Sequence, residues 1–144
     1  MIGSARRVSL CLATAAVLLT APGCAIVSDS QTVEDLKAGA DMHTTFRVTT
    51  SPPAACSKVA RMLMWCAGGP NYHYRCNISS DGNRAELSGT LEAVYRTEFF
   101  MVTEFVRRGG DTEATVHQLD SLLVYDYAPM IEKYLAGTLD CRPR

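Results

Sequence analysis

The chain has 144 residues, with 14 basic and 15 acidic side chains, a formal net charge of −1 and six cysteines. Charges of both signs are mixed along it with no long run of either, which excludes the basic footprint of a nucleic-acid binder and a polybasic membrane patch. The length fits one domain with flanking segments.

At the N-terminus Arg6 and Arg7 precede the apolar run Val8 to Leu19, and Thr20-Ala21-Pro22-Gly23-Cys24 follows. A positive start, a short apolar stretch and small residues form the order of an export signal. The run is about 12 residues long, against the roughly 20 that cross a bilayer as a helix, which predicts removal of the segment. Ala21-Pro22-Gly23-Cys24 resembles the lipobox of bacterial lipoproteins, with Ala21 where a leucine is commoner. The resemblance implies a signal peptide over residues 1–23 and a mature chain whose first residue, Cys24, carries a diacylglyceryl thioether and an N-acyl chain. More than one acyl chain makes a stable anchor, since each buried methylene contributes about 0.8 kcal/mol. Ala25 stands where enteric lipoproteins retained in the inner membrane carry aspartate, so the resemblance points to the outer membrane, with the domain in the periplasm. Cysteine parity agrees: Cys11 leaves with the signal and Cys24 is blocked, so Cys56, Cys66, Cys76 and Cys141 remain as an even set.

From Ala25 to Asp41 small and polar residues dominate, and residues 24–41 read as a flexible tether with one helical turn at Val33 to Ala38. Residues 42–144 read as the globular domain. His43 to Thr50 combines four threonines with Phe46 and Val48, which favours a strand. Ser51-Pro52-Pro53 then supplies an N-cap and a first-turn proline, and Ala55, Val59, Met62, Leu63 and Cys66 fall on one stripe at helical spacing. Gly68-Gly69-Pro70 stops that helix. Tyr72, Tyr74, Cys76 and Ile78 alternate with polar residues as a half-buried strand, and Ser79 to Asn83 forms a hairpin turn. The next strand alternates Ala85, Leu87, Gly89, Leu91 and Ala93. After a break at Thr97-Glu98, Phe99 to Arg108 is denser in apolar residues and belongs near the middle of the sheet. Arg107 to Asp111 makes the second hairpin, leading into Thr112 to Leu119. A last helix over Tyr127 to Ala136 turns Ile131, Tyr134 and Leu135 inward and stops at Gly137.

This order predicts an α+β domain of two layers: a curved antiparallel sheet of five strands, in β-α-β-β-β-β-α order, with two helices on one face and disulfide staples. The element order resembles in outline the helix-grip domains of some outer-membrane accessory lipoproteins. Four cysteines allow three pairings. If the two helices run antiparallel, Cys141 falls beside Cys56, and the loop after the first helix brings Cys66 to Cys76; Cys56 with Cys76 and Cys66 with Cys141 is the next arrangement. The cysteine spacings of ten, ten and 65 contain no close pair of the kind zinc sites use.

No catalytic signature stands out. His43, His73 and His117 lack the close spacings of metal or metalloprotease motifs and are expected as surface histidines on the first, second and fifth strands. The serines sit in no nucleophile elbow. Glu92, Glu98, Glu104 and Glu113 are the carboxylates that cross-strand pairing would bring together for glycoside hydrolysis, and otherwise form the solvated outer face of a sheet. Tyr72, Tyr74, Phe99, Phe100, Phe105, Tyr125, Tyr127 and Tyr134 supply core, and some of them could line a groove. Gly68-Gly69-Pro70-Asn71 follows a helix and reads as a turn, since a phosphate loop would precede one. Tyr74-Arg75-Cys76 with Arg84-Ala85-Glu86-Leu87 resembles periplasmic lysozyme inhibitors over those few residues, without their serine-glycine loop. The expectation is a non-catalytic envelope lipoprotein without cofactor or metal, a binding or accessory module for an envelope protein or cell-wall partner. An inhibitor of lysozyme or another hydrolase, and a small wall hydrolase, are the alternatives.

Overall fold

The computed structural model describes residues 25–121 and 124–141. The signal segment and Cys24 lie outside them. Among the described residues no helix is long and apolar enough to cross a membrane.

In chain order the elements are α1 (Val33–Gly39), β1 (Met42–Val48), α2 (Pro52–Ala67), β2 (Tyr72–Ile78), β3 (Arg84–Glu92), β4 (Thr97–Arg108), β5 (Asp111–Gln118) and α3 (Tyr127–Leu135). The strands form one antiparallel sheet in the order β1-β5-β4-β3-β2, which puts the densest strand, β4, in the centre. The expected α+β architecture is what the chain adopts. Short hairpins join β2 to β3 and β4 to β5, with Gly82 (φ 67°) and Gly109 (φ 64°) taking the left-handed positions that other residues avoid.

Helices α2 and α3 cover one face. Ala55, Val59 and Leu63 of α2 and Ile131 and Tyr134 of α3 pack on Leu87, Phe100, Met101 and Phe105, filling the space between the layers. Val59, Leu63 and Ile131 are fully enclosed, so truncating any of them to alanine removes well-packed volume. Between Gly89 and Thr90 the β3–β4 register shifts by one residue. Phe100 is the extra residue of this bulge, which lets both Phe100 and Met101 be buried in succession. A Cβ on Gly89 would stand 2.7 Å from the Phe100 ring, so the missing side chain makes room for it.

The other face carries α1. Residues 26–41, expected as a flexible tether, are laid against the domain: Leu36 is fully buried, Thr32 caps α1 by accepting from the Asp35 N–H, and the Phe99 N–H donates to the Ser30 carbonyl. The helical turn foreseen at Val33 to Ala38 is α1. Its single buried residue and seven-residue length give it no independent stability, and the sheet supplies what propensity does not.

The disulfides are Cys56–Cys76 and Cys66–Cys141, which corrects the expected pairing of Cys56 with Cys141 and Cys66 with Cys76. Rise per residue explains the first bond. Ten residues of α2 descend about 15 Å from Cys56 to Cys66. Strand β2 climbs back at about 3.3 Å per residue, so four steps from Tyr72 bring Cys76 level with Cys56. The tail explains the second. Helix α3 does run against α2 as expected, ending where the Leu135 carbonyl accepts from Lys58 Nζ at 3.3 Å. The chain then turns at Gly137 (φ 97°) and doubles back along α2 to Cys66. Peptide mapping of the unreduced protein is expected to join the peptides carrying Cys56 and Cys76, and those carrying Cys66 and Cys141.

Candidate functional site

The least expected polar group is Glu98, placed by the sequence reading at a break and here inside β4 with no solvent exposure. Its carboxylate accepts from three successive backbone N–H groups: Ile26 at 2.9 Å, Val27 at 2.7 Å and Ser28 at 3.1 Å. Arg96 Nε adds a fourth donor at 3.1 Å, and Arg96 Nη2 also reaches the Ser28 carbonyl at 3.2 Å. Burial alone would push this carboxyl up, but the three N–H groups and the guanidinium outweigh it and hold it below the ordinary value. The chain is thereby latched to the sheet within two residues of Cys24.

The latch sits at one tip of the domain. The β3–β4 turn closes through the Ala93 N–H on the Arg96 carbonyl, and its apex carries Val94, 84% exposed, and Tyr95, 96% exposed. Ile26 is exposed at the same tip. Large apolar side chains thus stand in open water at one end, beside the start of the latched segment.

Around the same end lies a groove of about 490 Å³ between the end of α2, the loop Gly68–Asn71, Tyr72 and Leu91, and the entry to α3 at Val124–Tyr127. Tyr72, Tyr125 and Tyr127 furnish aromatic walls. Gln118, buried as the last residue of β5, fixes the α3 side: its Nε2 donates to the Tyr125 carbonyl at 3.2 Å and its Oε1 accepts from the Tyr127 N–H at 2.8 Å. Behind the groove the Tyr74 and Tyr127 hydroxyls hydrogen-bond at 2.9 Å. Burial pushes the Tyr74 phenol up to about 12 and Tyr127 further still, so both remain neutral and act as hydrogen-bonding walls. Trp65, 84% exposed, stands off the buried stripe of α2 and borders a separate hollow with Ala60, Arg61, Met64 and Tyr74. An open cleft with aromatic walls and backbone polar groups suits binding of a flat or extended ligand segment.

The other face of the sheet gathers the charged groups. Lys37 of α1 donates to Glu86 Oε2 at 2.9 Å and to Glu104 Oε1 at 2.8 Å. Burial would lower the ammonium, but the two carboxylates more than reverse this and keep it above its ordinary value. The other Glu104 oxygen meets His117 Nε2 at 3.1 Å, and His117 Nδ1 lies 2.9 Å from His43 Nδ1. Burial raises the Glu104 carboxyl less than Lys37 and His117 lower it, so it stays ionised.

Among the sequence-selected residues, His43 and His117 are thus brought together, while His73 pairs separately with Glu92 at 3.2 Å. The four glutamates are not gathered into one cleft: Glu92 has His73, Glu98 holds the latch, Glu104 has Lys37 and His117, and Glu113 has Arg108 and Arg47. Of the aromatics, Phe100, Phe105 and Tyr134 are core, and Tyr72, Tyr125 and Tyr127 line the groove. The turn Gly68-Gly69-Pro70-Asn71 is one of its walls. Among the described residues no group of three or more metal-binding side chains forms. Lys37, Arg96, Gln118 and Trp65 were not singled out by sequence. A lone basic residue in a polar segment carries no local sign of its partner, although Trp65 off the buried stripe was visible as an apolar residue on a polar face.

Comparison with protein-family models, with curated proteins and with solved structures finds no match for this chain.

Proposed function

We propose that this chain is a non-catalytic, lipid-anchored lipoprotein of the bacterial outer membrane. Its periplasmic domain serves as a binding or accessory module for an envelope protein or cell-wall component. The observation that supports this reading is the Glu98 latch, which fastens Ile26, Val27 and Ser28 to the centre of the sheet at the tip bearing Ile26, Val94 and Tyr95. An acylated Cys24 would then seat the domain close against the headgroups. The three apolar side chains would enter the interface, and the tyrosine would offer a ring to the acyl boundary and a hydroxyl to water. The groove near that tip and the open edge of β2 are the surfaces left to a partner.

Labelling with radioactive palmitate in an exporting Gram-negative host tests the reading. The wild-type chain is expected to incorporate label and sediment with outer membranes, while Cys24→Ala incorporates none and appears in the soluble fraction. Label retained in Cys24→Ala, or an unlabelled soluble wild type, would remove the anchor and with it the reading.

A further inference from the structure

We propose that His43 and His117 form a two-histidine site for a divalent transition-metal ion, with Cu(II) the preferred occupant and Glu104 the positioning residue. The two histidines face each other in register across β1 and β5, with their Nδ1 atoms 2.9 Å apart. Two imidazole nitrogens bound at 2.0–2.1 Å to one ion lie about 2.9 Å apart when the bonds meet at a right angle, and about 3.3 Å apart in a tetrahedron. The observed 2.9 Å is a hydrogen-bond contact, so the two nitrogens already stand at chelating separation and need a rotation of the exposed His43 ring to aim both lone pairs at one ion; Cu(II), highest in the divalent affinity order, is the ion such a pair would hold most tightly.

The hydrogen-bond pattern already suits a ligand pair. Glu104 Oε2 lies 3.1 Å from His117 Nε2, so that nitrogen is engaged by the carboxylate and Nδ1 is the ring atom turned towards His43. This is the carboxylate–histidine arrangement that orients metal-bound imidazoles and raises their basicity. Glu104 is itself held by Lys37 through its other oxygen, at 2.8 Å, so the brace is fixed from behind. His117 is mostly covered, with 13% of its side chain exposed, and supplies the rigid half of the site. His43 is exposed and supplies the mobile half. In the metal-free pair the two Nδ1 atoms share one hydrogen bond. When the ion enters, His43 swings outward, the proton of that hydrogen bond passes through solvent to the Nε2 of the ring that carried it, and both Nδ1 lone pairs turn to the metal. Water fills the remaining positions. The site faces solvent, so exchangeable ligands, including a partner's side chains, have access to it.

Cu(II) titration of the full-length protein, followed by electron paramagnetic resonance, tests the assignment. One equivalent is expected to give a tetragonal signal with splitting from two nitrogens. His43→Ala and His117→Ala are expected to abolish that signal, His73→Ala to leave it intact, and Glu104→Gln to keep the stoichiometry while weakening affinity by about 10–100-fold. Thermal unfolding of each variant separates lost ligation from lost fold. In the unaltered protein, selective broadening by Cu(II) of the His43 and His117 imidazole resonances, with those of His73 unaffected, gives the same answer without substitution. Binding that survives in His43→Ala or His117→Ala, broadening centred on His73, or no binding by the wild type would overturn the proposal.

Discussion

Glu98→Ala is expected to destabilise the fold by about 3–5 kcal/mol, the cost of breaking a buried charged network from one side. The loss has two parts. Three backbone N–H groups and the Arg96 guanidinium lose their acceptor where Ser28 is 4% exposed, and the 26–30 segment that they hold comes free. For a domain of this size the melting temperature falls by roughly 10–20 °C. Glu98→Gln keeps the shape and one acceptor oxygen but not the charge, and falls between. Titration gives an independent check. The Glu98 carboxyl is held below its ordinary value in the fold, so its contribution is complete above about pH 4.5 and is lost as pH falls through the depressed folded value. Glu104, lowered by Lys37 and His117, and Asp81, lowered to about 2 by Ser79 and Asn83, lose their contributions in the same direction. Urea unfolding at neutral pH and at pH 3 is therefore expected to show a lower midpoint in acid, with a smaller drop in Glu98→Ala. An equal drop in both proteins would mean that the latch does not depend on the charge of Glu98.

Removing the Cys66–Cys141 bond is expected to cost more than removing Cys56–Cys76. The first closes a span of 75 residues and the second one of 20, and the chain-entropy relation gives about 4.5 and about 3.3 kcal/mol respectively. The longer bond also holds the tail that doubles back from α3. Cys66→Ala/Cys141→Ala is therefore expected to loosen the tail beyond Leu135 as well as lower stability, read as faster amide exchange there than in Cys56→Ala/Cys76→Ala. Equal protection of the tail in both variants would show that side-chain packing alone keeps it in place.

The sheet was legible because its signals are local. Alternation in Tyr72–Ile78 and Arg84–Glu92, the glycine turns and the density of Phe99–Arg108 each specify a strand within a few residues, and chain order with short hairpins then leaves few topologies. The helices were equally plain, from Ser51-Pro52 and the Ala55, Val59, Leu63 stripe in one and from Gly137 in the other. What escaped lies in long-range register. The segment before β1 has the composition of a tether, and its order comes from Glu98, some 70 positions away in the chain. The disulfides were misassigned because the levels of Cys56 and Cys76 depend on comparing helix rise with strand rise, and those of Cys66 and Cys141 on a reversal after Gly137. His43 and His117 meet through pairing across 74 residues, which no spacing motif reports.

The latch also determines how the domain bears load. Tension drawn through residue 26 enters at β4, the central strand, which is braced on one side by β3 and on the other by β5. Four short charge-assisted hydrogen bonds must give way before that pull reaches α1 and the edge strand β1, the part of the sheet that would otherwise peel first. Forced unfolding is governed by the rate of the first rupture. A drag applied at the N-terminus is therefore resisted from the middle of the sheet outward, and the domain resists pulling at that end more than its two exposed edges would suggest.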